Sequence, residues 1–137
     1  MEKLTHEQID EMEAGREMDA LVAELVMEWK YRTDLESTWF ILELYKKLDN
    51  PVFWNGEFGI GYAKSNGWGP FHPSTDIAAA WQVVEKFNSC EITIAKDKSE
   101  YVCLLDFAPD MDKWYPAVAP TAPLAICRAA LKAVTND

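Results

Sequence analysis

"CEITIAKDKSEYVCLLDF", residues 90–107, decides the architecture. Its two ends, 90–95 and 101–107, alternate apolar and polar side chains, the period-2 pattern of strands with one buried face. Cys90, Ile92 and Ile94 share one face of the first; Tyr101, Cys103, Leu105 and Phe107 share one face of the second. The polar turn "KDKSE" between them predicts antiparallel neighbours, because parallel strands need a far longer crossover. That pairing brings Cys90 and Cys103 close together, and both are expected to be reduced thiols.

Helical patterns flank this hairpin on both sides. Upstream, "FHPSTDIAAAWQVVEKF" (71–87) predicts a helix beginning near Thr75, with Ser74, Thr75 and Asp76 crowding its capping positions. Ile77, Ala80, Trp81, Val84 and Phe87 recur at helical spacing and are expected to face inward, and Ala78–Ala80 allow close approach. Downstream, a third strand is expected around Trp114 and Tyr115, followed by a connector bracketed by Pro116, Pro120 and Pro123. The last helix, "TAPLAICRAALKAV" (121–134), takes Thr121 as its N-cap and turns Leu124, Cys127, Leu131 and Val134 inward.

Nearer the N-terminus, Thr5 and Gln8 have capping-box spacing, and Gly15 suits a left-handed helix end. A second helix follows, with Met18, Leu21, Val22, Leu25, Val26 and Trp29 inside and Asp19, Glu24 and Glu28 outside. Residues 33–48 predict a third helix on the period of Leu35, Trp39, Leu42, Tyr45 and Leu48, although Trp39–Leu42 also suits a buried strand. Asn55-Gly56 predicts a hairpin turn, and the glycines and prolines of 59–73 predict a long irregular loop. The whole reads as one α+β domain over 1–137: a small, mainly antiparallel sheet with helices on both faces.

Composition narrows the function classes. A hydrophobic fraction of 49% in 137 residues is enough for a real core and argues against disorder. The net charge of −10 is concentrated at the start, where residues 1–36 hold 11 acidic and 4 basic side chains. Such a field disfavours duplex DNA and anionic membranes. Neither a membrane-spanning run nor a signal-peptide pattern is visible, so a cytoplasmic setting is expected.

Four phrases carry a resemblance: "EAGREMDALVAELVMEW" (13–29), "STDIAAAWQVVEKF" (74–87), "CEITI…YVCLLDF" and "TAPLAICRAALKAV" (121–134). Together they resemble the phage ABA-sandwich domain family of bacteriophage and prophage proteins, over about residues 5–135. The segment 30–55 departs from the family's pattern. The resemblance implies an alpha-beta-alpha sandwich, a viral origin and action in the cytoplasm of the bacterial host; it implies no reaction and no agreed ligand site.

No catalytic motif stands out. The serines lack a GxSxG setting, and His72 two residues from Ser74 does not by itself aim an imidazole at a hydroxyl. Three cysteines without CxxC spacing and two histidines make no metal pattern, "DFAPDMD" lacks the calcium-loop glycine and glutamate, and no phosphate-loop motif is present. No cofactor is expected. What remains are two helix starts near aromatic residues. Trp68, Trp114 and Tyr115 would stack on a polar-aromatic or nucleotide-like ligand, while Ser74, Thr75 and Thr121 would hydrogen-bond it. His72, Arg16 and Arg128 complete the candidate set, and Trp54 and Phe71 are expected among the exposed aromatics around it. The leading expectation is therefore a non-enzymatic ligand-binding protein that sequesters a host signal. The alternatives are an acidic adaptor presenting residues 5–29 to a basic host protein, or a small structural phage component. The aromatic load also suits a homo-oligomer.

Overall fold

A computed structural model describes residues 4–31, 52–56, 59–64, 67–87, 89–95, 99–106 and 116–135. The helix expected over 33–48 and the strand expected around Trp114 and Tyr115 lie outside these residues. The fold is α+β, with strands in two sheets rather than one.

Helix α1 (His6–Glu11) opens on the anticipated capping box: the Gln8 amide donates to Thr5 Oγ1 and the Thr5 amide donates to Gln8 Oε1. Gly15 does not close it. The helix ends at Met12 in extended backbone, and Gly15 (φ +157°) is the N-cap of α2, Arg16–Leu21. Without a break α2 continues as a π-helical turn over Val22–Val26. The wider turn changes which side chains point inward. Met18, Val22, Ala23 and Val26 are buried as a stripe, Leu25 is exposed, and Asp19 is buried rather than outside.

The turn closes with Glu28 at φ +58°, its neighbour's amide (Trp29) reaching back to the Ala23 carbonyl at 3.0 Å. A non-glycine residue in that region carries a Cβ penalty. Exchanging Glu28 for glycine should therefore stabilise the fold by about 0.5–1 kcal/mol. In urea, the midpoint should rise with an unchanged slope; an unmoved midpoint would show the backbone to be unstrained there.

Strands β1 (Lys30–Tyr31), β2 (Val52–Gly56), β3 (Gly59–Lys64) and β4 (Gly67–Pro70) form the first sheet in that order, parallel for β1–β2 and antiparallel thereafter. Two expectations are corrected here. The expected hairpin is present as the antiparallel β2–β3 pair, but Gly56 pairs with Gly59, so Asn55 and Gly56 belong to the strand rather than to the turn. The stretch from Gly59 to Pro70 is a strand pair, not an irregular loop. Cross-strand neighbours explain this: Tyr62 pairs with Gly69, and its ring edge lies where a Gly69 Cβ would make ordinary contact. An aromatic ring covering a glycine across the ladder supplies the packing the glycine lacks. Pro70 is tolerated because it ends an edge strand.

Helix α3 (Ile77–Val84) leads to the second sheet: β5 (Ser89–Ala95), β6 (Glu100–Asp106) and β7 (Ala117–Ala119), all antiparallel. The expected hairpin is present. Cys90 faces Leu105, Ile92 faces Cys103 and Ile94 faces Tyr101, so both apolar sets share one side. All three cysteines are free thiols; burial, then the neighbouring Cys90, pushes the Cys103 thiol up to about 12.

Helix α4 (Ala122–Thr135) is the central element, resting on β6 and β7 and touching α1, α3 and the π-helical turn. Leu124–Cys127 and Ala129–Leu131 are buried, which leaves little of its circumference to solvent. Thr121 caps it, with the Leu124 amide 3.4 Å from Thr121 Oγ1. The inward face of α3 is Ala79, Ala80, Val83 and Val84. Ile77 and Trp81, expected inside, are each 51% exposed. The small alanines let the helix backbone approach its neighbour closely, and that turns the larger pair outward.

Candidate functional site

The turn between β4 and α3 contains the most constrained polar cluster among the described residues. Phe71, the last residue before it, is fully buried rather than exposed, and its amide donates to the Ile60 carbonyl at 2.8 Å. From there the chain folds tightly: the Thr75 and Asp76 amides both donate to the His72 carbonyl, at 3.2 and 2.8 Å. Asp76 then caps α3, accepting from the Ala78 amide at 3.2 Å. Ser74 and Thr75 do not cap this helix. Ser74 is buried and cross-links the turn to the start of α2: Gly15 N–H donates to Ser74 Oγ at 2.9 Å, and Ser74 Oγ–H lies 3.4 Å from the Gly15 carbonyl.

Asp19 is the centre of the cluster. One carboxylate oxygen accepts the Ser74 amide at 2.9 Å; the other lies 3.6 Å from His72 Nδ1. Its side chain is 3% exposed, against 35% for His72. Burial raises the Asp19 carboxyl above the ordinary carboxylate range, opposed by the Ser74 hydrogen bonds and the nearby His72. Burial likewise raises the Cys127 thiol, with the Asp19 charge adding to it. The carboxylate lies at the Nδ1 edge of the imidazole. The ring also lies against Gly59 (φ +118°), where a Cβ would come within 2.6 Å of His72 Cε1. Gly59 thus makes room for the ring, whereas a Cβ at Gly15 would meet open space.

The expected site residues separate into groups. His72, Ser74 and Thr75 share the turn, and Arg16 follows directly on Gly15 at the start of α2. Ser74 has both polar groups engaged within the fold, whereas Thr75 and Arg16 are exposed. Thr121 is exposed at the start of α4. Arg128 reaches out of α4 to hold two carbonyls, Val118 at 2.8 Å and Met12 at 2.9 Å. It is therefore a clamp between β7 and the α1–α2 connection. Trp68 lies on β4 opposite Ala63, with its side chain outside the described residues, as are those of Trp54, Trp114 and Tyr115. Among the described residues, no three His, Cys, Asp or Glu side chains converge to hold a metal ion.

Sequence reasoning missed Asp19. Its signal was nevertheless present: positions 19, 22, 23 and 26 lie on one helical arc with Met18, so an inward Asp19 follows from the stripe itself.

The fold defines a small α+β sandwich domain whose distinctive site is a buried carboxylate beneath a half-open imidazole. The chain belongs to the phage ABA sandwich domain family, whose family model matches residues 20–131. A 2.0 Å crystal structure of a phage protein from Bacillus cereus ATCC 14579 is similar in fold: 21% identity, TM-score 0.54, covering 98% of this chain and 91% of that one. No curated protein matches the sequence. Among the described residues, no helix is long and apolar enough to cross a membrane.

Proposed function

We propose that this phage protein acts without catalysis in the cytoplasm of the bacterial host, capturing and withholding a small polar-aromatic, nucleotide-like ligand such as a host immune signal. One observation carries the reading: His72, a polar aromatic ring half open to solvent, is held in place by the buried Asp19 and seated on Gly59. A positioned polar ring that is partly open to solvent suits stacking against a base. Exposed Thr75 and Arg16 lie on the same two segments and supply a hydroxyl and a cation.

The test is a thermal-shift screen of the purified chain against nucleotides, with the bound compound recovered and weighed. A ligand at about 100 times its Kd should stabilise the protein by roughly 2.7 kcal/mol. His72→Gln should abolish that shift while the unliganded protein melts within a few degrees of wild type. Silence across the nucleotide series, or recovery of a cleaved product, would refute the proposal.

A further inference from the structure

The face of α3 that points away from the core carries two large apolar side chains. Ile77 and Trp81 stand one helical turn apart and are each 51% exposed, so two large apolar side chains form a continuous ridge. Glu85 extends that ridge by one further turn, and Asp76 sits at its other end; both are exposed. Lys86, beside Glu85, offsets part of this charge. An exposed tryptophan flanked by an aliphatic side chain and acidic groups has the composition of a binding hot spot.

We infer that this ridge docks a basic segment of another protein, one that places an arginine or lysine over the Trp81 ring and an apolar side chain against Ile77. Charge selects that occupant. The chain carries −10 overall, so a basic partner is attracted over distance and a second copy is repelled. Asp76 and Glu85 bracket the ridge with exposed carboxylates, so an acidic segment of another protein would meet like charge there. A cation on the indole face converts the same acidic surroundings into attraction. The surface is separate from the His72 ring and does not depend on the ligand-capture reading.

Calorimetric titration of the full-length protein with a synthetic helical peptide of leucine and arginine tests this, using the same peptide with glutamate for arginine as the control. The arginine peptide should bind, more weakly as salt rises, and the glutamate peptide should not. Trp81→Ala should weaken binding about ten-fold or more, with Trp81→Phe recovering part of it. The pair Asp76→Asn with Glu85→Gln should flatten the salt dependence while leaving the melting point in place, because asparagine caps a helix as well as aspartate. His72→Gln should leave peptide binding unchanged. Undiminished binding by Trp81→Ala would overturn the inference. So would equal affinity for the glutamate peptide, binding to phosphatidylglycerol vesicles instead, or sedimentation as a dimer that Trp81→Ala dissolves.

Discussion

Phe71→Ala will lower the stability of the fold by about 3–5 kcal/mol, the upper range for deleting a core aromatic. Phe71 is fully buried, with its ring centroid 4.7 Å from that of Trp29 and 6.0 Å from that of Tyr62. Trp29 and Tyr62 stack on one another at 5.0 Å. The three rings come from three places: the end of the π-helical turn, strand β3 and the start of the 71–76 turn. Truncation removes two aromatic contacts together, each contributing about 0.5–1.5 kcal/mol beyond area burial. The hole cannot readily close, because the Phe71 amide is held on the Ile60 carbonyl at 2.8 Å. With total stability of about 5–15 kcal/mol for ordinary domains, the variant should lie close to unfolding. Urea denaturation should show a much lower midpoint at an unchanged slope. A loss under about 1 kcal/mol would mean that the aromatic cluster is not part of the cooperative core.

The second large effect belongs to Asp19, and there the nature of the replacement matters more than the position. Asp19→Ala leaves the buried Ser74 amide without its acceptor and opens space beneath His72, at a cost of about 2–3 kcal/mol. Asp19→Asn keeps an oxygen for that amide and removes a buried charge, so the loss should stay within about 1 kcal/mol. Equal losses for the two variants would exclude the hydrogen bond as the cause. The wild-type carboxyl is raised in the folded state, chiefly by burial. Its contribution to stability is therefore greatest below the unfolded value of about 3.9 and falls as pH rises through the folded value. The asparagine variant lacks that titration. Its deficit against wild type should shrink as pH climbs out of the acid range, and unfolding curves collected across that range read the difference directly.

These sites show where sequence patterns are legible and where they are not. The Thr5–Gln8 box, the 90–107 hairpin and the Thr121 cap depend on neighbours a few residues away, and each is present in the structure. Asp19 lies on the arc of the buried stripe, but a carboxylate is expected on the solvent side unless its partners are known, and those partners, Ser74 and His72, are distant in sequence. Ile77 and Trp81 differ from the expectation because hydrophobicity alone favours burying the largest side chains. The packing instead buries Ala79 and Ala80, through which two helices can approach. The glycine-rich stretch looks like a loop in sequence because its strand character is supplied from across the ladder, by Tyr62 over Gly69. For the site, the 72–76 turn was recognisable from its turn and capping residues. Its carboxylate partner, 53 positions away from His72, was not.

The ties between the first helix and the last constrain how the chain is made. Helix α1 packs on α4, and Lys132 of α4 binds Asp10 at 2.7 Å and the Pro116 carbonyl at 3.2 Å, while its own carbonyl meets His6 Nε2 at 3.2 Å. Arg128 holds the Met12 carbonyl from the same helix. Every one of these partners for residues 6–12 lies more than a hundred positions downstream. During synthesis on the ribosome, α1 thus emerges before α4 and docks on it only after α4 has been made. Its acidic surface stays in solution while the residues between the two helices are made, where like charge opposes association of nascent chains until α4 arrives.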